Sequence, residues 1–241
     1  IRTCTDIIIT AARSTDISWK KLTSVCQREE GITMIFRNKK ANLAEGLAKY
    51  EKEPPGYKKK TRTVPETAPR YVYDKEENCY RNTETRSSNT ARLMCVGDLM
   101  CEEKMYKAYN FDDKFLPYGI FYYVKKVFAE ADFVIGNLET TICEEAPYTG
   151  EEYKINGKYH CNAPASYLDI LKYAGFDMFA LSNNHNLDCG ALGIGETIEE
   201  VEKRKFLHTG LYTDPNEKDR YVVVNINGIK VAFLSYSTWF N

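Results

Sequence analysis

From residue 91 onward, apolar runs and helical periodicities alternate along the chain. The run "RLMCVGD" (92–98) reads as a buried strand that ends on Gly97 and Asp98. Helical spacing follows in "YGIFYYVKKVFAEA" (118–131), with Pro117 just ahead as a start signal. A second strand run, "DFVIGNLE" (132–139), ends on Gly136, Asn137 and Glu139. Pro164 opens the helical "ASYLDILKYAG", which Gly175 stops, and "FDMFALSNNH" (176–185) is a third strand run. "GALGIGETIEEVEKRK" (190–205) is the next helix, and "YVVVNINGIKVAFLSYS" (221–237) a hairpin turning on Asn227 and Gly228. This alternation predicts an α/β fold, a partly parallel sheet covered by helices with an antiparallel hairpin.

The first 90 residues read differently. "TDIIITAA" (5–12) and "ITMIFR" (32–37) have the look of short strands, "SWKKLTSVCQREE" (18–30) and "NKKANLAEGLAKYEKE" (38–53) of helices. Residues 1–49 thus form a small α/β segment with no chemical motif. Residues 50–90 hold Pro54, Pro55, Pro65 and Pro69 beside Lys58, Lys59, Lys60 and Arg62, a composition that predicts a linker or an irregular surface wrap. Residues 91–241 are the main domain.

Composition narrows the function classes. Thirty-three basic residues against 34 acidic ones leave a net charge of −1, without the basic excess of a nucleic-acid binder. Eight cysteines are scattered with no CxxC pair, which predicts reduced thiols in a cytoplasm-like compartment rather than a disulfide framework or a structural zinc knot. No apolar run approaches a spanning helix, and "DIIITAA" is too short for a signal-peptide core.

Ligands of α/β sheets bind outside the carboxyl ends of the strands. All three strand runs end in polar residues, so parallel pairing would bring Asp98, Asn137, Glu139, Asn184 and His185 to one edge. That oxygen and nitrogen set suits a divalent Mn, Fe, Zn or Mg ion, which would polarise a phosphoryl or carbonyl oxygen. Simpler roles exist for each residue: Asn183 or Asn184 in an Asx-turn, Asp188 as a helix cap, His185 as a packing residue. Cys101 and Cys189 lie near two of these loops as bystanders.

In "VGDLM", "ADFVIGNLET" and "YAGFDMFALSNNHNLDCGALGIGETIEEVEKRKFLHTG", with its NNH-x-x-D-x-G signature, the chain resembles the CapA/PgsA-type capsule-synthesis proteins linked to poly-γ-glutamate. "GIKVAFLSYS" fits as well, and the resemblance runs over residues 92–241. It implies a fold similar to the calcineurin-like metallophosphoesterases, a β-sandwich flanked by helices with a two-metal site at the strand ends. On that resemblance Asp98, Glu139 and Asn184 are the metal ligands, His185 the acid and Asp188 the group that orients it. Asn137, Asn183 and His208 are the candidate substrate contacts. Met100 stands where many phosphoesterases carry a histidine. Family members continue into further histidine-bearing loops, which His160 and His208 do not match, so the domain is expected to be incomplete at its C-terminus.

The function implied is a metal-dependent hydrolase acting on a phosphoester or a polyglutamate amide. The alternative is a non-catalytic polymer-binding or assembly component, which Met100 and Asn137 favour. The partners implied are an anionic polymer such as poly-γ-glutamate and capsule-assembly proteins, with no nucleic acid. Membrane association through an upstream segment is the alternative to a cytoplasm-like location.

Overall fold

A computed structural model of the chain describes residues 5–12, 69–83, 90–111, 114–115, 118–149, 154–155, 158–214 and 221–238. The elements expected across residues 18–53 lie outside these segments. Strand β1 (Thr5–Ala12) comes first, then the hairpin of β2 (Tyr71–Asp74) and β3 (Cys79–Asn82). β4 (Leu93–Asp98) is followed by α1 (Glu103–Tyr109) and α2 (Val124–Phe128). Next come β5 (Phe133–Asn137) and the short strands β6 (Thr141–Ile142) and β7 (Asn162–Ala163). Helix α3 (Ser166–Ala174), β8 (Met178–Ala180), α4 (Gly190–Lys203) and β9 (Leu207–Thr209) lead to β10 (Val222–Ile226) and β11 (Ile229–Ser237).

β4, β5, β8 and β9 pair in that order as a parallel sheet, so strand order in space repeats strand order in the chain. Every link between neighbours contains at least one helix, as parallel pairing requires. β5 is buried at every position, the environment of a strand covered on both faces. Its alternation sorts two cores. Val134 joins Leu168, Leu171, Phe179 and Val201 on the helix side, whereas Phe133 and Ile135 meet Val224, Val231 and Phe233 of a second sheet. That sheet runs β1-β11-β10-β3-β2. Phe133 stacks on Phe233 with ring centroids 5.1 Å apart. Burying one such ring contributes about 1.5–3 kcal/mol, so this pair does much to hold the sheets together. The expected α/β class holds, with two sheets face to face and helices on the outer side of the parallel one. No helix among the described residues is long and apolar enough to cross a membrane.

The punctuation residues act as read. Gly175, at φ 104°, ends α3: its N–H donates to the Lys172 carbonyl and the Phe176 N–H donates to that of Leu171. Asn227 and Gly228, at φ 53° and 86°, make the tight turn of the β10–β11 hairpin.

Three expectations change. β1 pairs antiparallel with β11, from Thr5 opposite Ser237 to Ala12 opposite Lys230, so residues 5–12 belong to the second sheet rather than to a separate segment. Residues 71–82, expected within a linker or wrap, form a hairpin that extends the same sheet through β3 and β10. Tyr71 is buried there against Phe133, and Arg70 donates to both oxygens of Asp177 at 3.0–3.1 Å, contacts that composition could not reveal. Burial pushes the Asp177 carboxyl up to about 6 against the pull of Arg70. The helix expected across 118–131 is broken into a 3-10 turn at Tyr118–Phe121 and the short α2. The break buries Phe121 edge-on against Phe176 and leaves Tyr122 and Tyr123 to solvent.

Gly210, just after β9, sits at φ 103°, and a Cβ there would lie 2.7 Å from Ser182 Cβ and 2.8 Å from the Ser182 nitrogen. Gly210→Ala is therefore expected to cost about 2 kcal/mol, read as a lower midpoint in denaturant at an unchanged slope. A midpoint equal to the parent's would mean that the β8–β9 edge yields freely.

Candidate functional site

β4, β5 and β8 end side by side, so their polar loops share one edge. The register of β4 against β5 shifts between Val96 and Asp98, and this bulge at Gly97 sets Asp98 opposite Asn137. Bulges re-aim the side chains beside them, and here the aimed group is a carboxylate. Asn137 Nδ2 donates to Asp98 Oδ1 at 2.9 Å and to Glu139 Oε2 at 3.0 Å. Asn137 Oδ1 accepts from Asn183 Nδ2 at 3.2 Å. One buried carboxamide thus joins two carboxylates to the third strand end.

The loop after β8 is locked by its own side chains. Asn183 Oδ1 accepts the His185 N–H at 3.0 Å, an Asx-turn, while Asn183 Nδ2 also donates to the Leu138 carbonyl at 2.8 Å. Asn186 Oδ1 accepts the Asn183 N–H at 2.6 Å, and its Nδ2 donates to the Leu181 carbonyl. This turn presents His185, whose Nδ1 meets Asp188 Oδ2 at 2.7 Å and whose Nε2 lies 4.0 Å from Glu139 Oε1. Asp188 does not cap α4: Cys189 holds that position without a side-chain capping bond, and the Asp188 carboxylate accepts the Cys161 N–H at 2.6 Å.

The electrostatics are lopsided. Burial and the neighbouring Asp98 carboxyl push Glu139 up to about 7, against His185 and the Asn137 amide. Burial opposes charge on His185, yet its bonds to Asp188 and Cys161 and their charges lift it to about 10. Among the described residues, His185 is the only cationic side chain within ion-pair distance of Glu139 or Asp188. Two carboxylates sharing one amide and facing one imidazolium make an acceptor-rich pocket that a divalent cation would balance. Asn184 fits the same need: its Oδ1 is buried with no hydrogen-bond partner, an uncompensated acceptor that calls for a ligand. The oxygen donors of Asp98 and Glu139, with the Asn184 carboxamide in the loop after β8, therefore suit a hard or borderline metal.

The amide groups of Asn137 and Asn183 are taken up by the hydrogen bonds that build the loop. His208 lies in β9 opposite Phe179, with Nε2 3.1 Å from Glu202 Oε1 at the end of α4. Cys161 escaped the sequence reading. It precedes β7, not a strand of the parallel sheet, yet Cys161, His185 and Asp188 bring ligand atoms within 4.8 Å of one another. Only tertiary pairing could reveal that, since 24 positions separate Cys161 from His185 and no spacing rule links them. Cys189 keeps its bystander role, its sulfur 3.1 Å from Thr141 Oγ1.

The chain is 27% identical over 158 residues to the capsule biosynthesis protein CapA of Bacillus anthracis, covering 64% of this chain and 36% of that protein. It is 26% identical over 157 residues to the PGA biosynthesis protein CapA of Bacillus subtilis (strain 168), covering 64% and 39%. An uncharacterized protein of Sinorhizobium fredii, y4sH, is 31% identical over 111 residues, 46% of this chain and 24% of that protein. The chain thus spans well under half the length of each of these relatives. The family described as bacterial capsule synthesis protein PGA_cap matches residues 92–240, the stretch that supplies every residue of the site, and the chain belongs to that family.

Proposed function

We propose that the chain carries the metal-dependent hydrolytic centre of a capsule-polymer synthesis protein, on a scaffold of the calcineurin-like metallophosphoesterase type, and acts on a phosphoester or a polyglutamate amide. The observation that carries this reading is the Asn137 carboxamide holding the Asp98 and Glu139 carboxylates together, with His185 Nε2 4.0 Å from Glu139, while Asn184, next to His185 in sequence, keeps a buried Oδ1 without a partner. Asp98, Glu139 and Asn184 would hold the ion, which when bound polarises the phosphoryl or carbonyl oxygen under attack. Asn137 keeps the two carboxylates apart and aligned. Asp188 grips His185 at Nδ1, which turns Nε2 towards Glu139 and leaves it to give a proton to the leaving group. The anionic polymer and capsule-assembly proteins are the partners this reading implies.

The test uses the full-length protein with bound metal measured directly, and hydrolysis of phosphoester and poly-γ-glutamate substrates. Asp98→Asn and His185→Ala are each expected to lower turnover by at least about a hundredfold. Undiminished turnover in both variants would sink the hydrolase reading. Polymer binding that survives a chelator, without any turnover, would instead favour a non-catalytic assembly component.

A further inference from the structure

Beside the oxygen-rich pocket, His185 turns its other nitrogen to a chemically different neighbourhood. Its Nδ1 lies 2.7 Å from Asp188 Oδ2, and the same oxygen accepts the Cys161 N–H at 2.6 Å. The Cys161 thiol, the His185 ring and the Asp188 carboxylate bring ligand atoms within 4.8 Å of one another, and Cys161 and His185 are buried. We propose that these three side chains form a second cation site, distinct from the Asp98–Glu139 pocket, that takes a thiophilic divalent ion such as zinc.

Three features support it. A tetrahedral zinc ion with bonds of about 2.0–2.3 Å sets its ligands roughly 3.3–3.8 Å apart, so the trio, within 4.8 Å, reaches that geometry with movements of about 1 Å once Nδ1 and Oδ2 part. A thiolate and a carboxylate neutralise a dication, which removes the cost of burying its charge. The backbone that presents the sulfur is fixed on both sides: the Cys161 carbonyl accepts from Thr141 Oγ1 at 2.8 Å and from the Thr141 N–H at 3.0 Å. Behind the site, His160 Nδ1 lies 2.9 Å from the Asp188 carbonyl oxygen, a further brace on the loop. Three protein ligands leave a fourth position for water, and the sulfur selects zinc or cobalt over magnesium or calcium. The site stands whether or not the neighbouring pocket serves a hydrolase. On the hydrolase reading, zinc at Nδ1 displaces the Asp188 hydrogen bond and its proton, so the second site silences His185.

Cobalt titration of the full-length protein tests this through a signal independent of activity. The parent protein is expected to develop a near-ultraviolet sulfur-to-cobalt charge-transfer band that zinc abolishes. Cys161→Ser, checked for folding by circular dichroism, loses the band and binds zinc at least about tenfold more weakly. Asp98→Asn keeps the band. If Cys161→Ser does not fold, Asp188→Asn serves as the second variant, again with at least about tenfold weaker zinc binding expected. A parent protein without the band at saturating cobalt overturns the proposal, as does a band that persists in Cys161→Ser, or zinc binding unchanged in Asp188→Asn. Loss of the band in Asp98→Asn also overturns it, because sulfur and Asp98 would then serve one ion. A hydrolase that fails its own test while the band behaves as expected leaves the zinc site standing.

Discussion

At pH 8 and without divalent metal, the Glu139→Gln variant is expected to unfold at a higher temperature than the parent protein, and at pH 4 the two unfold together. The sign follows from the proton. In the folded chain Glu139 keeps its proton up to about pH 7, because burial and the Asp98 carboxyl disfavour its anion. In the unfolded chain an ordinary glutamate releases it near 4.5. Its contribution to stability is therefore fully present below about 4.5 and is lost as pH rises through 7. The gap corresponds to about 3 kcal/mol at pH 8, a melting shift of several degrees in a chain of this size. Glutamine cannot ionise, and its carboxamide can accept from Asn137 while donating towards Asp98. Thermal unfolding of both proteins from pH 4 to 9 measures the difference. Parallel curves with no pH-dependent gap would mean that Glu139 titrates like an exposed carboxylate. Adding a divalent ion should restabilise the parent at pH 8 far more than the variant.

Asn137→Ala is expected to cost about 3 kcal/mol at neutral pH, measured by chemical denaturation. The residue is 2% exposed, and its carboxamide makes hydrogen bonds to Asp98, Glu139 and Asn183. Its removal strips two carboxylates of a shared donor and leaves one acceptor fewer for the Asn183 amide, where unsatisfied groups cost about 1–3 kcal/mol each. Asn137→Asp separates packing from electrostatics. It keeps the shape but places a third carboxylate in the pocket, so it should be less stable than the alanine variant at pH 8 and recover as the pH falls. If aspartate is tolerated as well as alanine at pH 8, the carboxylates do not feel one another and the account of the pocket is wrong.

These expectations rest on features of unequal legibility. The strand runs ending at Glu139 and His185 were readable because a strand buried on both faces must be continuously apolar, and its polar terminus then stands out. The run ending at Asp98 is instead a half-buried edge strand, read from its apolar content alone. Gly175 and the Asn227-Gly228 pair were readable because few residues tolerate positive φ. The hairpin at residues 71–82 was hidden by the polar, proline-rich sequence before it, and Tyr71 gained its place by burial against Phe133, a contact distant in sequence.

By itself, then, the sequence determined the α/β alternation, the order of the strand ends and the identity of the groups at them, since local periodicity and turn chemistry are written in neighbouring residues. Only the tertiary structure decided how those groups relate. Parallel pairing and the bulge at Gly97 set Asp98 opposite Asn137, and the amides of Asn137 and Asn183 link the three strand ends by hydrogen bonds. The same folding carried Cys161 to His185 and Asp188 and left His208 with Glu202. Long-range contacts of this kind depend on which strands pair and on which face each side chain lands, and no local pattern encodes them.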